Sequence, residues 1–339
     1  MNLQRKHLLE KINEENMHQL GQLRITHKDS TRYNEIFNLL PLSISNMKNS
    51  VLEIMLLNRL SHENIFSQKE IKIDRRNMLV ELKCNFKHDL VSLEHLMLRG
   101  YLGMKHLKFI MFQLFSLVNY FHFNGVVARN ICTKNIMISE SSQILFGDFS
   151  SMRLQRFENK RSLEHRLDIN YAAPELSLNL NKNFFASDIW SLGCIFFEMA
   201  ERRPLFRVNN SMDQLRSVFQ CLGTPTRDEQ LSFISNKGTI KWIKSQDYSV
   251  KKTISNWMKN NLNNFDLVDL LDKCLKVNPS ERISAAQALA HPFFAELYDV
   301  EEESRCLHNH LSTLDLGKIF SSSQDKETLK SILIQELCC

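Results

Sequence analysis

Apolar residues fill nearly every position of LKFIMFQLFSLVNYFHF, residues 107–123. A stretch that is apolar on every side predicts a helix buried all round. ASDIWSLGCIFFEMA, residues 186–200, reads the same way. NFDLVDLLDKCLKVNPSERISAAQALAHPFF, residues 264–294, predicts two amphipathic helices joined at Pro279. The chain before about residue 85 mixes shorter strand-like and helical patterns and closes on an alternating run, Met78–Cys84. This order predicts a small mixed unit over 1–85, then a larger, mainly helical unit over 86–298. A tail, 299–339, holds Ser321-Ser322-Ser323 and a candidate last helix with Leu329, Ile332, Leu333 and Leu337 on one face. No internal repeat or low-complexity block appears.

Composition narrows the function classes. The 339 residues suit one two-lobed domain or two ordinary ones, and a hydrophobic share of 43% suits a globular core. The net charge of +5 is mild and interspersed, with no basic stripe, so nucleic acid is not an expected partner. The first residues lack an apolar signal core, and the run around Ile189–Ala200 is too short to span a bilayer. An intracellular protein is expected. The eight cysteines form no CxxC pair, so reduced structural thiols are expected rather than a zinc site or disulfide framework. The terminal Cys338-Cys339 resembles the lipidated ends of small GTPases, but an unmodified end is the expected state, because that lipidation needs machinery that reads the GTPase.

The stretch VVARNICTKNIMISESSQILFGDFS, Val126–Ser150, has the layout of a phosphoryl-transfer loop followed by a metal-binding turn. YAAPE (171–175), SDIWSLGCIFFEM (187–199), RRPLF (202–206), DQLRSVFQCLGTP (213–225) and ERISAAQALAHPFF (281–294) extend the pattern. With these residues the chain resembles a eukaryotic protein kinase over about 7–298, most closely the cyclin-dependent kinases of the CMGC group. The resemblance implies an α+β, two-lobed protein-kinase-like fold, with a small mixed β/α N-lobe and a larger, mainly helical C-lobe. LEKINEENMH (9–18) resembles the start of a kinase and SVLEIMLLNRLSHENI (50–65) its αC helix. An amphipathic helix over 7–20 is the competing reading.

Phosphoryl transfer rests on positioning and charge neutralisation. Glycines let backbone N–H groups close over phosphates. The family's glycine positions fall at Asn13, Glu15 and His18, and Gly21 is the only glycine before Gly100. The phosphate-contacting lysine falls at Glu35, its αC partner is Glu53, and no lysine lies between Asp29 and Met47. The two acids would repel or splay into solvent; a cation held by Glu35, Glu53 and Asp148 is the remote alternative. The family's His-Arg-Asp becomes Ala128-Arg129-Asn130, and its next lysine becomes Cys132. A carboxamide cannot take a proton as a carboxylate does, and that assistance contributes roughly 10²–10⁴-fold.

Other parts survive. Asn135 and Asp148 stand where the family keeps its magnesium ligands, and Ser150 replaces the glycine of the metal turn. Arg129 and Arg153 stand where a phosphothreonine would be collected, but the third arginine is Leu52 and the threonine is Leu163, with Ser162 adjacent. Asp168 replaces the threonine before the segment end, and Ala172 a CMGC arginine. Glu175 and Arg282 are the expected structural ion pair, and Asp188 the expected anchor of the catalytic-loop backbone.

Scaffold is kept and chemistry is lost, which implies a catalytically inactive protein that works by binding proteins: a cyclin-like protein, a kinase or a kinase substrate. The αC segment does not match the family's cyclin-binding sequence. No cofactor is expected. The competing readings are a residual kinase using Asp148, Asn135 and a displaced lysine with MgATP, and a nucleotide-sensing cleft. In the family register Lys83 would disfavour an aromatic base in that cleft.

Overall fold

From Leu79 on, the alternating run is part of the longest strand among the described residues. The computed structural model describes residues 33–41, 47–65, 69–74, 79–100, 102–139, 141–149, 151–155, 167–178, 180, 184–225, 227–246, 254–261 and 263–299. In chain order the elements are β1 (Tyr33–Pro41), α1 (Met47–Arg59), β2 (Lys69–Asp74), β3 (Leu79–Ser92), α2 (Leu93–Arg99), α3 (Met104–Phe123), β4 (Val126–Val127), β5 (Ile136–Ser139), β6 (Ile144–Phe146), β7 (Arg153–Leu154), α4 (Pro174–Ser177), α5 (Phe184–Glu201), α6 (Ser211–Leu222), α7 (Lys237–Lys244), α8 (Phe265–Cys274) and α9 (Ala285–Leu289). The mixed strands come first and the helices after, so the expected α+β order is observed. Among the described residues no helix is long and apolar enough to cross a membrane.

The chain folds as two compact units. One gathers the described residues up to Leu96 with 134–153; the other gathers 97–133 with 154–298.

In the first unit β3 is central. Cys84 of β3 faces both Ile36 of β1 and Lys69 of β2, so the two strands flank it, each antiparallel. The far end of β3 pairs with β5 (Leu90 with Ser139), and β5 pairs with β6 (Ile136 with Phe146). α1 contains no glycine or proline to interrupt it. Residues 51–57 of α1 are all buried, and Arg59 suits its negative C-terminal end. The turn after it is stitched to β6: the Asn64 side-chain amide donates to the Ile144 carbonyl at 2.9 Å, and the Phe146 N–H donates to the Asn64 carbonyl at 3.0 Å.

In the second unit the two all-round apolar stretches are its buried helices, α3 and α5. Each fully buried Phe there contributes roughly 1.5–3 kcal/mol. Phe294 meets Phe112 and Phe115 edge-on, at 5.7 and 5.8 Å between ring centres. At Gly193 of α5 a Cβ would come within 2.9 Å of Leu275 Cδ2 and 3.0 Å of Cys274 Cβ. Glycine is what lets α5 and α8 approach.

One expectation is corrected. The segment after Pro279 is not a long amphipathic helix but a 3-10 turn at Pro279–Glu281, the five-residue α9 and a second turn at Pro292–Phe294. Ser284 and Gln287 form a reciprocal cap that starts α9. Pro292, which has no N–H and cannot sit in a helix interior, ends it.

Candidate active site

The catalytic-loop residues belong to the second unit. Asp188, fully buried on α5, accepts the N–H of Ala128 at 3.0 Å and of Arg129 at 2.8 Å. His122 Nε2 lies 2.9 Å from the same carboxylate. Arg129 has φ of 66°, a conformation unfavourable for a residue with a Cβ. The paired N–H bonds to Asp188 hold it there.

Asn130 follows. Its side-chain oxygen accepts the backbone N–H of Asp168 at 3.1 Å. Cys132 is buried, 3% exposed, where a cation would be required. Burial removes the thiol from any role as an exposed phosphate contact. The next residue, Thr133, lies 2.9 Å from the Tyr171 hydroxyl, which donates to Glu198 at 2.7 Å. Burial first, then the Glu198 charge, pushes the Tyr171 phenol far above its ordinary range.

Glu175 and Arg282 form a bidentate ion pair at 2.6 and 2.7 Å, 1% and 0% exposed. The other Arg282 N–H groups donate to the carbonyls of Lys276, Ala186 and Val277. Its guanidinium lies 4.9 Å from the centre of the Trp190 ring. This ties the end of the segment (Ala173 and α4) to α5 and to the chain before α9.

The candidate metal residues belong to the first unit. The Asn135 amide nitrogen lies 3.2 Å from Asp148 Oδ2, and the Ser151 hydroxyl donates to the same oxygen at 3.0 Å. Phe149 is buried edge-on to Phe146, 6.1 Å between ring centres. Glu53 on α1 is buried, 3% exposed, beside Leu52 at 1%. Glu35 lies on β1 opposite Asn85, and Lys83 on β3 opposite Phe37 and Glu70. Arg153 donates to the Met152 carbonyl at 2.6 Å.

Asn135 with Asp148, Glu175 with Arg282, and Asp188 with the Arg129 backbone are thus direct pairs, while Asn130 belongs to the other unit from Asn135 and Asp148. Asn13, Glu15, His18, Ser150, Ser162, Leu163 and the tail with Cys338-Cys339 lie outside the described residues. Among the described residues no group of three or more His, Cys, Asp or Glu could hold a metal ion. The buried cysteines Cys132, Cys194, Cys221 and Cys274 form no disulfide.

Sequence reading missed Ser151, His122 and Asn170. Ser151 and His122 carry no motif signal beyond their nearness to the loop and turn. Asn170 did carry one: Asp-Ile-Asn, with two residues whose side chains readily bond nearby backbone. The Asp168 side chain accepts both the Asn170 N–H, at 3.1 Å, and its side-chain amide, at 3.0 Å.

The Protein kinase domain family matches residues 37–294. The match begins after Asn13, Glu15, His18 and Glu35, the positions that correspond to the family's glycines and strand lysine. A mitogen-activated protein kinase homologue from Medicago sativa, MMK2, is 32% identical over 267 residues, covering 76% of this chain and 69% of its own. The mitogen-activated protein kinase HOG1 of Cochliobolus heterostrophus is 32% identical over 258 residues, 76% and 70% of the two chains. Extracellular signal-regulated kinase 1 of Dictyostelium discoideum is 26% identical over 303 residues, 87% of this chain and 55% of its own. These relatives are mitogen-activated kinases of the CMGC group, and nothing in them singles out its cyclin-dependent branch.

Proposed function

The chain belongs to the eukaryotic protein kinase superfamily, in its CMGC group, and from that premise we propose that it is a pseudokinase that acts by binding other proteins. The observation that carries this reading is at Asn130. The base position holds a carboxamide, and its oxygen is engaged by the Asp168 backbone. A general base must reach the proton it abstracts and be able to hold it; this group is committed to another donor and does not hold protons near neutral pH.

The metal residues support the same reading. Magnesium demands near-octahedral oxygen ligation, with carboxylates and substrate phosphates among its ligands. Here the Asn135 amide nitrogen and the Ser151 hydroxyl both point at one oxygen of Asp148. That arrangement engages one carboxylate oxygen from within the chain, which supports a reading without magnesium. No cofactor is therefore assigned. The retained Glu175–Arg282 pair and Asp188 clamp support a fold kept for its surface rather than for turnover. We place its partners among proteins of kinase signalling, in nucleus or cytoplasm. A cyclin-like partner has no support in the αC sequence.

The test is MgATP titration by calorimetry with a thermal-shift scan, beside a phosphotransfer assay on basic and proline-directed peptides. A ligand that binds only the folded state raises stability by RT ln(1 + [L]/Kd). The expected result is no magnesium-dependent shift and no transfer. Transfer that disappears with Asp148→Ala would overturn the reading and favour a residual kinase.

A further inference from the structure

We propose that Asn170 is a positioning residue that latches the end of the activation segment, so that the segment's own backbone fills the position an acceptor hydroxyl would take at Asn130. This rests on the assignment of Asn130 to the base position. It adds a device that holds that position shut without any added phosphate.

The latch is a continuous hydrogen-bond chain within the second unit. Asn130 Oδ1 accepts the Asp168 N–H at 3.1 Å. Asp168 Oδ1 accepts the Asn170 N–H at 3.1 Å and the Asn170 side-chain amide at 3.0 Å. Asn170 Oδ1 in turn accepts the Val208 N–H at 2.9 Å. Val208 lies in the loop between α5 and α6, so the chain runs from the catalytic loop, through the segment end, to a different part of the helical unit. Neighbouring bonds hold the same stretch: Tyr171 N–H to the Asp168 carbonyl at 3.1 Å, Ser191 hydroxyl to the Tyr171 carbonyl at 2.8 Å, and the Gln214 amide to the Ala172 carbonyl at 2.7 Å.

The residue types are those the chain of bonds requires. Position 170 must donate on one side and accept on the other, and an amide side chain does both from one planar group. An aspartate there would still accept from Val208 but would face Asp168 as a like charge. Asp168 needs an acceptor in its side chain and a backbone N–H that donates to Asn130. Each link is made by this chain's own amides and one carboxylate, so the order of 168–172 does not depend on a phosphothreonine.

The test is site-resolved hydrogen exchange on the full chain, comparing the wild type with Asn170→Ala and Asn170→Asp. Local protection reports local opening. With Asn170→Ala, exchange at both the Asp168 and Val208 amides should rise by about tenfold or more, while α5 amides stay protected. With Asn170→Asp, Asp168 should open and Val208 should stay protected. Unchanged protection at both amides in either variant would overturn the latch, as would loosening of α5 to the same degree. If Asn170→Ala does not fold, the split between the two amides in Asn170→Asp decides alone. Exchange is read without nucleotide or turnover, so failure of the latch and failure of the pseudokinase reading are separate results.

Discussion

Arg282 directs two of its five N–H groups at the Glu175 carboxylate, at 2.6 and 2.7 Å, and the other three at backbone carbonyls. Both side chains are out of water. Removing either one strands a buried charge. Glu175→Ala or Arg282→Ala should therefore cost roughly 3–5 kcal/mol. Arg282→Lys should also be costly, because an ammonium cannot fill a fork of five donors. Urea unfolding should show a lower midpoint at unchanged slope. A loss below about 1 kcal/mol would place the pair with exposed ones.

Gly193 supplies a packing test free of charge effects. A Cβ there meets Leu275 Cδ2 at 2.9 Å and Cys274 Cβ at 3.0 Å, and both partners are buried. The crowding must move α5 away from α8 or force off-rotamer side chains. Overpacking of this kind costs roughly 1–3 kcal/mol. It should outweigh the helix-propensity gain of about 1 kcal/mol from replacing glycine by alanine. Gly193→Ala should thus melt lower than the wild type. An equal or higher melting temperature would mean the helices have slack at this contact.

The legibility of the sequence divided along local and long-range lines. α3 and α5 could be read because their burial is written in their own residues, apolar on every side. The family could be read because its motifs are long and ordered, and the match over residues 37–294 bears that out. The segment after Pro279 was misread because apolar spacing there serves short turns and a capped five-residue helix as well as it serves a long helix. The interior of the site was legible only as vacancies. Asn130 and Cys132 told what chemistry was missing, but not that Asp168 would occupy the Asn130 oxygen or that Ser151 would donate to Asp148. Those partners lie 38 and 3 residues along the chain, and no period or propensity encodes the pairing.

One carboxylate gives the protein a predictable acid response. Lys273 and His291 both approach Asp269 Oδ2, at 2.6 and 2.8 Å. The hydrogen bond from Lys273, then that from His291, holds the Asp269 carboxyl below its ordinary value. The folded-state pKa is depressed, so the contribution is present above the unfolded value, about 3.9, and is lost as pH falls through the folded one. The side chain is half-exposed, so the effect is modest. Asp269→Asn should flatten the stability curve below about pH 4 and leave its shape near neutral pH alone. An unchanged acid limb would show that the group titrates alike in both states.

The last prediction concerns repair. If Asn130 and Cys132 were the whole loss, the double substitution Asn130→Asp, Cys132→Lys would return a base and a cation. A base alone contributes roughly 10²–10⁴-fold. Yet no glycine other than Gly21 precedes Gly100, and no lysine lies between Asp29 and Met47. Phosphoryl transfer needs the nucleotide's phosphates held in line before a base can matter. Cys132 is also buried, so a lysine there must desolvate its ammonium or push the loop outward. The doubly substituted protein should therefore show no transfer in a radiolabelled phosphate assay, and should melt lower than the wild type. Transfer above the level of Asp148→Ala in the same background would mean that the phosphates are held by residues other than the family's loop and lysine. The losses at 130 and 132 would then be the whole of the inactivity.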